Sequence, residues 1–196
     1  MATRIKIDQG DVDRIKRDLR HIADGMPLAL VRSINRALTG VRTDFVNSVR
    51  REYNVKARAA RKNIRLRKAS KRSISGEVES TGKPIPLVNF APRPSNVQPR
   101  RKAPITVEVI RGERKPVESA FVAVMDSGHK GIFRRHKRGG ERVDRLPIGE
   151  LWGPRLEDYY ARPDVQAELQ RGAERRLSVE IERQADYLFR QRMGML

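Results

Sequence analysis

The segment DSGHKG sets Asp126, Ser127 and His129 almost side by side. These are the residue types of nucleophilic acyl chemistry. A triad, however, needs side chains that converge in space rather than neighbours along the chain, so the segment reads better as a strand-ending turn. His21 stands beside Arg20 on an expected helix and reads as a surface residue. His129 and His136 sit in a strongly basic stretch with no carboxylate at metal-ligand spacing, so no metal site is expected. The glycines of RGGERV fit neither phosphate-loop pattern. Glu157 and Asp158 stand near a helix start, where acids are expected without any catalytic role. The carboxylates a nuclease would gather are scattered and mostly interleaved with Arg on helices. The reading is a protein that is not an enzyme and needs no cofactor.

What the residues can do is meet an anion. Lys and Arg total 43 against 24 Asp and Glu, a net charge of +19. Such an excess repels itself unless something anionic lies nearby. Three stretches concentrate it. The first, YNVKARAARKNIRLRKASKR from Tyr53 to Arg72, contains no acid and supplies Arg58, Arg61, Lys62, Arg65, Arg67, Lys68, Lys71 and Arg72. The second is Arg100, Arg101 and Lys102. The third supplies Lys130, Arg134, Arg135, Lys137 and Arg138. Cations of this kind hold phosphates through counterion release and read no sequence. Tyr53 and Phe133 are the only aromatic residues within these stretches, too few for single-strand binding by stacking. Asn63 is the one amide in the first stretch beyond its opening Tyr-Asn, too little for base reading in a major groove. Non-specific backbone contact, a face for an acidic protein, and a solvated basic face all remain open.

The elements that must position these residues follow from periodicity. Val12, Ile15, Leu19 and Ile22 predict an amphipathic helix over 11–24, stopped by Gly25. Pro27 suits the first turn of a second helix, with Val31, Ile34, Leu38, Val41, Phe45 and Val49 as its apolar stripe and an end near Tyr53. Val55–Leu66 reads as helical, with Ala57, Ala60 and Ile64 inward and Arg58, Arg61, Lys62, Arg65 and Lys68 outward. A strand is expected over Ser73–Ser80, a short apolar run at IPLVNF, and a loop or arm over 91–104 with four prolines. That arm, which carries Arg93, is expected to be ordered only by neighbours. ITVEVI is the clearest strand, with ESAFVAVM as its antiparallel partner across RGERK and GIFRRH adding another. Pro163 opens the last helix, with Val165, Leu169, Ala173, Leu177, Ile181, Ala185, Leu188 and Met193 near four-residue steps.

The fold class is therefore α+β: N-terminal amphipathic helices, a small antiparallel β-sheet and a long C-terminal helix. One domain is expected over 1–196. It divides into a basic helical part (1–72), a β-rich part (73–136), a connector (137–162) and a helix (163–193). The chain has no cysteine, which excludes disulfides and thiolate metal sites. The N-terminus lacks the apolar core of a signal peptide, and no apolar run is long enough to span a bilayer. A soluble protein used without secretion is expected.

The order of motifs in the C-terminal third resembles a known family. Leu146, Pro147 and Ile148, a spacer, Trp152, Gly153 and Pro154, then a long charged helix, are similar to the close of phage minor tail protein Z and its prophage relatives. Trp152 stands where a Tyr is more usual. LVRSINRALTGVRTDF, then YNVKARAARKNI, resembles the family's opening, and AFVAVMDSGHKGIFRR its central segment. The resemblance covers most of residues 26–193. It implies a minor virion component that completes the tail at its head-proximal end, in the neck. The partners it implies are the tail terminator and the head–tail connector; a ring of further copies of the chain, lined by Arg and Lys, is the assembly that would fit the charge. The resemblance also implies a role in placing the end of the double-stranded DNA genome, with assembly in the host cytoplasm and no membrane. A stand-alone non-specific nucleic-acid-binding protein is the other class that fits the charge.

Overall fold

The computed structural model describes residues 4–7, 26–99, 103–135, 137–138, 141–142 and 147–195. The helix expected over 11–24, with His21, lies outside them, as do Arg100, Arg101, Lys102 and His136. The described chain is α+β. It divides into two compact units, each assembled from separated stretches of sequence: residues 1–46, 64–81 and 157–196 in one, and 47–63 and 82–156 in the other.

In the first unit, helix α1 (Met26–Glu52) contributes its residues up to Val46. Its expected stripe is buried, with Ile34, Leu38, Val41 and Phe45 almost fully shielded. Strands β1 (Arg4–Ile7), β2 (Ile64–Arg67) and β3 (Gly76–Ser80) form an antiparallel sheet in the order β1-β3-β2. Gly76 lies directly under Leu38 and Ile34, so this face of the sheet carries α1. The final helix, α4 (Pro163–Arg192), follows the short α3 (Leu156–Tyr160), whose first turn holds Glu157 and Asp158. Val165, Leu169, Ala173, Leu177 and Ile181 of α4 are buried, and beyond them the stripe emerges toward Met193, which is exposed.

Helices α1 and α4 run antiparallel. The Ser33 hydroxyl donates to the Glu180 carbonyl at 3.1 Å. Farther along, Arg176 forms a two-pronged pair with Asp44, with both N···O distances 2.7 Å. The Arg176 stem crosses Gly40, where a Cβ would come within 2.8 Å of it. Tyr160 is wholly buried, its ring 4.7 Å from that of Phe45 and its hydroxyl donating to the Phe45 carbonyl at 2.8 Å. Burial pushes that hydroxyl's pKa well above the ordinary tyrosine range.

The second unit begins with the last residues of α1 and the short helix α2 (Ala57–Lys62). It continues through β4 (Pro84–Pro86), a single 3-10 turn (Leu87–Asn89), β5 (Ile105–Glu108), β6 (Arg114–Val117), β7 (Ala120–Val124) and β8 (Lys130–Arg135). Last come β9 (Lys137–Arg138), β10 (Glu141–Arg142), β11 (Ile148–Glu150) and β12 (Trp152–Arg155). All pairings are antiparallel: β11-β8-β7, β12-β4, β5-β6 and β9-β10. The single small sheet expected from sequence is thus several smaller ones.

Two local expectations are corrected here. The partner of β5 is β6, not the AFVAV strand, which pairs instead with β8. Gly112 at φ +81° makes the tight connection to the nearer strand. Glu108 fixes it by accepting from the Gly112 N–H at 3.1 Å and from Arg114 at 3.0 Å. The Gly112 hydrogen bond, helped by Arg114, holds the Glu108 carboxyl below its usual pKa. Likewise the stretch after Asn63 is not helical, since residues 64–67 form β2. Within the proline-rich stretch, Arg93 exchanges two backbone hydrogen bonds with Thr106, at 2.8 and 3.0 Å.

The Trp-Gly-Pro motif is explained by packing. Gly153 faces the buried Phe90 ring so closely that a Cβ would lie 2.4 Å from it. Only hydrogen fits there.

Candidate basic interface

The basic run is divided at Asn63. Upstream, Lys56 anchors α2 through its backbone N–H, which donates to the Asn89 carbonyl at 3.0 Å. Ala60 is buried, and Arg58, Arg61 and Lys62 face solvent. Asn63 closes the helix, its N–H reaching back to Ala60 and Arg61. Downstream, Ile64 and Leu66 turn inward and Arg65 and Arg67 outward, an alternation of period two. Arg65 and Lys68 therefore do not continue the helical face that carries Arg58, Arg61 and Lys62. The alternating Ile-Arg-Leu-Arg is the signal that marks the change.

Pairing with β3 gives the outward arginines different fates. Glu79 stands opposite Arg65 on one side and Arg4 on the other, and Glu77 stands opposite Arg67. Arg67 Nε lies 3.0 Å from Glu77, while Arg4 Nε lies 3.3 Å from Glu79. The two carboxylates are mostly buried and pair with these arginines by charge more than by aligned hydrogen bonds. Arg67 is thus ion-paired within the fold, although its side chain stays 65% exposed. Arg65, Lys68, Lys71 and Arg72 are exposed and have no carboxylate partner among the described residues.

A residue to which the sequence reading assigns no role of its own positions this stretch. Asn35, of the Asn-Arg-Ala triplet in α1, clamps the backbone of Ala69 from both sides. Its Nδ2 donates to the Ala69 carbonyl at 3.0 Å, and its Oδ1 accepts the Ala69 N–H at 2.8 Å. Ser70 and Ser73 then exchange backbone hydrogen bonds, which puts Lys71 and Arg72 at the tip of a turn.

In the second unit α2 forms one wall of a cavity of about 330 Å³. Its cationic lining is Lys56, Arg58, Lys62 and Lys130; its apolar lining includes Ile85, Pro86 and Val88. Arg61 is not part of the wall. Lys130 Nζ donates to Asn96 at 2.9 Å. His129 also lines the cavity, and its Nε2 lies 2.9 Å from Glu150 Oε1.

The DSGHKG segment is indeed a strand-ending turn. Met125 and His129 close it, with Gly128 at φ +78°. His129 pairs with Glu150, not with Asp126 or Ser127. Among the described residues no three His, Asp or Glu side chains cluster as a metal would need. Arg134 is exposed, and Arg135 lies over the Phe121 ring at 5.4 Å. Lys137 and Arg138 belong to the β9–β10 pair.

The sequence model of the family described as prophage minor tail protein Z (GPZ) matches residues 10–193. The chain belongs to that family. The match begins upstream of the stretch that carried the resemblance. No curated protein and no solved structure matches the chain. Membership makes the protein a minor tail protein of a prophage, a structural component of the phage tail. Its described residues contain no helix long and apolar enough to cross a membrane. The motifs that carry the likeness have structural jobs here. Gly153 admits Phe90, Asn35 of the Asn-Arg-Ala triplet holds the basic run, and the Gly-His turn closes β7 onto β8.

Proposed function

We propose that this minor tail protein completes the tail at its head-proximal end, in the neck. There it joins tail to head and helps hold the end of the packaged duplex through non-specific cationic contacts. The tail terminator, the head–tail connector and further copies of the chain in a ring are its proposed neighbours. The observation that carries the DNA role is the set of exposed cations without carboxylate partners among the described residues, Arg61 on α2 and Arg65, Lys68, Lys71 and Arg72 around the clamped turn. B-form DNA presents one negative charge per ~1.7 Å of axis, and surface cations with no internal partner gain counterion-release free energy against it. Arg67, Arg100, Arg101, Lys102, Arg134, Arg135, Lys137 and Arg138 would add to the field without being needed for the argument.

The test is a quadruple variant, Arg61→Gln, Lys68→Gln, Lys71→Gln and Arg72→Gln. For the purified chain and a random-sequence duplex, log affinity is plotted against log salt. Its slope should fall by ~0.9 for each phosphate the variant no longer neutralises. Particles carrying the variant should assemble but lose infectivity or retain the genome end poorly. An unchanged salt slope together with full infectivity would end the DNA reading. Cross-linking in washed particles checks the position: links to connector subunits support the neck, and links confined to the distal tip oppose it.

A further inference from the structure

We infer that the cationic cavity of the second unit is a docking pocket for an acidic peptide segment of another protein, one bearing a large apolar side chain beside its carboxylates. Three observations point there. First, the wall is one-signed: Lys56, Arg58, Lys62 and Lys130 line it, and among the described residues no carboxylate does. Glu150 stands outside the lining and shares a hydrogen bond with His129 at 2.9 Å. Lys56, Arg58 and Lys62 have no carboxylate partner among the described residues, so an entering anion meets charges that are not already neutralised.

Second, the cavity is concave and partly apolar. Ile85, Pro86 and Val88 line it, and its 330 Å³ falls at the small end of the range of built ligand pockets. A duplex backbone is a strongly hydrated ridge. It can be held by cations on an open surface and has nothing apolar to place in such a hollow. An aliphatic or aromatic side chain has.

Third, the apolar surface continues outward. Trp152 is paired directly opposite Pro86 in the β12–β4 ladder, and directly opposed residues share a face of the pair. Trp152 is 52% exposed, although buried partners usually surround a tryptophan. Tryptophan leads the residues that dominate interface energetics. A peptide that seats an apolar side chain in the cavity would lie its neighbours against Trp152 and its carboxylates against the lysine and arginine rim. This occupant is independent of the DNA role, whose cations Arg61, Lys68, Lys71 and Arg72 lie outside the wall.

Trp152 is the chain's only tryptophan and so reports on the site without a label. The probe is the peptide Gly-Asp-Phe-Glu-Leu-Asp-Gly, titrated into the full chain while indole emission is followed. The controls are the same peptide with Gly in place of Phe and Leu, and a short random-sequence duplex. The pocket predicts a saturable blue shift with the first peptide. The Gly control should bind at least about tenfold more weakly, since it lacks the group that fills the apolar part. Arg58→Glu with Lys62→Glu should weaken the first peptide by about tenfold or more, as like charge replaces the complement. Val88→Trp, which fills the cavity and leaves its charge, should do the same.

Absence of saturable binding to the unaltered protein would overturn the inference. So would equal affinity for the Gly control, which would mean charge attraction alone. Displacement of the peptide by duplex, with Val88→Trp harmless, would assign these cations to DNA instead. The unaltered chain supplies the first two outcomes, so a variant that fails to fold leaves the inference testable. Failure here leaves the quadruple variant's salt slope as it was.

Discussion

At the scale of single residues, two side chains of the first unit hold backbone far away in the chain: Asn35 at the basic turn and Tyr160 at α1. Asn35 makes two hydrogen bonds to one residue far along the chain. A typical net value is about 1 kcal/mol for each bond, so Asn35→Ala should cost about 2 kcal/mol in urea unfolding. It should also speed tryptic cleavage at Lys68, Lys71 and Arg72, because their anchor at Ala69 is gone. Tyr160 makes one such bond, to Phe45, and Tyr160→Phe should cost about 1 kcal/mol near neutral pH. The pH dependence has a definite sign. The folded pKa of Tyr160 is raised by burial, so its contribution is fully present below the unfolded value of about 10 and declines as pH rises above it. Wild type should therefore lose stability more steeply above about pH 10 than Tyr160→Phe does, as read by thermal unfolding at stepped pH. None of this is visible in the sequence: Asn35 and Tyr160 act on partners distant in the chain, and a triplet such as Asn-Arg-Ala says nothing of what it clamps.

At the scale of elements, long periodic segments are legible in the sequence and short ones are not. Helices α1 and α4 follow their three-and-four spacing, because burying one stripe of a long helix is enough to fix it. A helix over Val55–Leu66 fails at its end. Cations at helical spacing suggest a continuing helix, but pairing with β3 and burial of Ile64 outweigh that local pattern. The β5 partner is hidden for a related reason. RKPV exposes its two central residues and carries no apolar alternation, while AFVAV is the more apolar run, yet the shorter connection wins.

Glycine positions give a contrast that can be measured. At Gly40 the obstructing group is the flexible, half-exposed Arg176 side chain. Gly40→Ala gains ~1 kcal/mol of helix propensity and loses at most about that from a surface ion pair, so its net effect on stability should be under about 1 kcal/mol. At Gly153 the obstructing group is the buried Phe90 ring. Gly153→Ala overpacks a site that cannot yield and should cost about 1–3 kcal/mol by the same denaturation assay.

At the scale of the whole molecule, charge and connectivity dominate. A net charge of +19 works against the compact state through self-repulsion. Moderate salt should raise the melting temperature of the isolated chain by screening that repulsion, and a polyanion should raise it further at low salt. The charge is fully legible in the sequence, since it needs only counting. The division into two units is not. The chain passes between them after Val46, Asn63, Thr81 and Leu156, within helices and between adjoining elements, and of these crossings the one at Thr81, followed by Gly82 and Pro84, carries the glycine and proline that mark domain boundaries. The cavity is equally hidden, because residues near 56–63, 85–89 and 129–130 are joined only by the fold.

That interleaving sets an order of events during synthesis. The first unit draws on α1, on the β2–β3 hairpin and on α4, so its core lacks Val165, Leu169, Ala173, Leu177 and Ile181 until α4 has left the ribosome. The second unit has all its residues once Leu156 has emerged. On a translating ribosome the second unit can therefore close first, while Phe45 waits for Tyr160 and for a helix still being made.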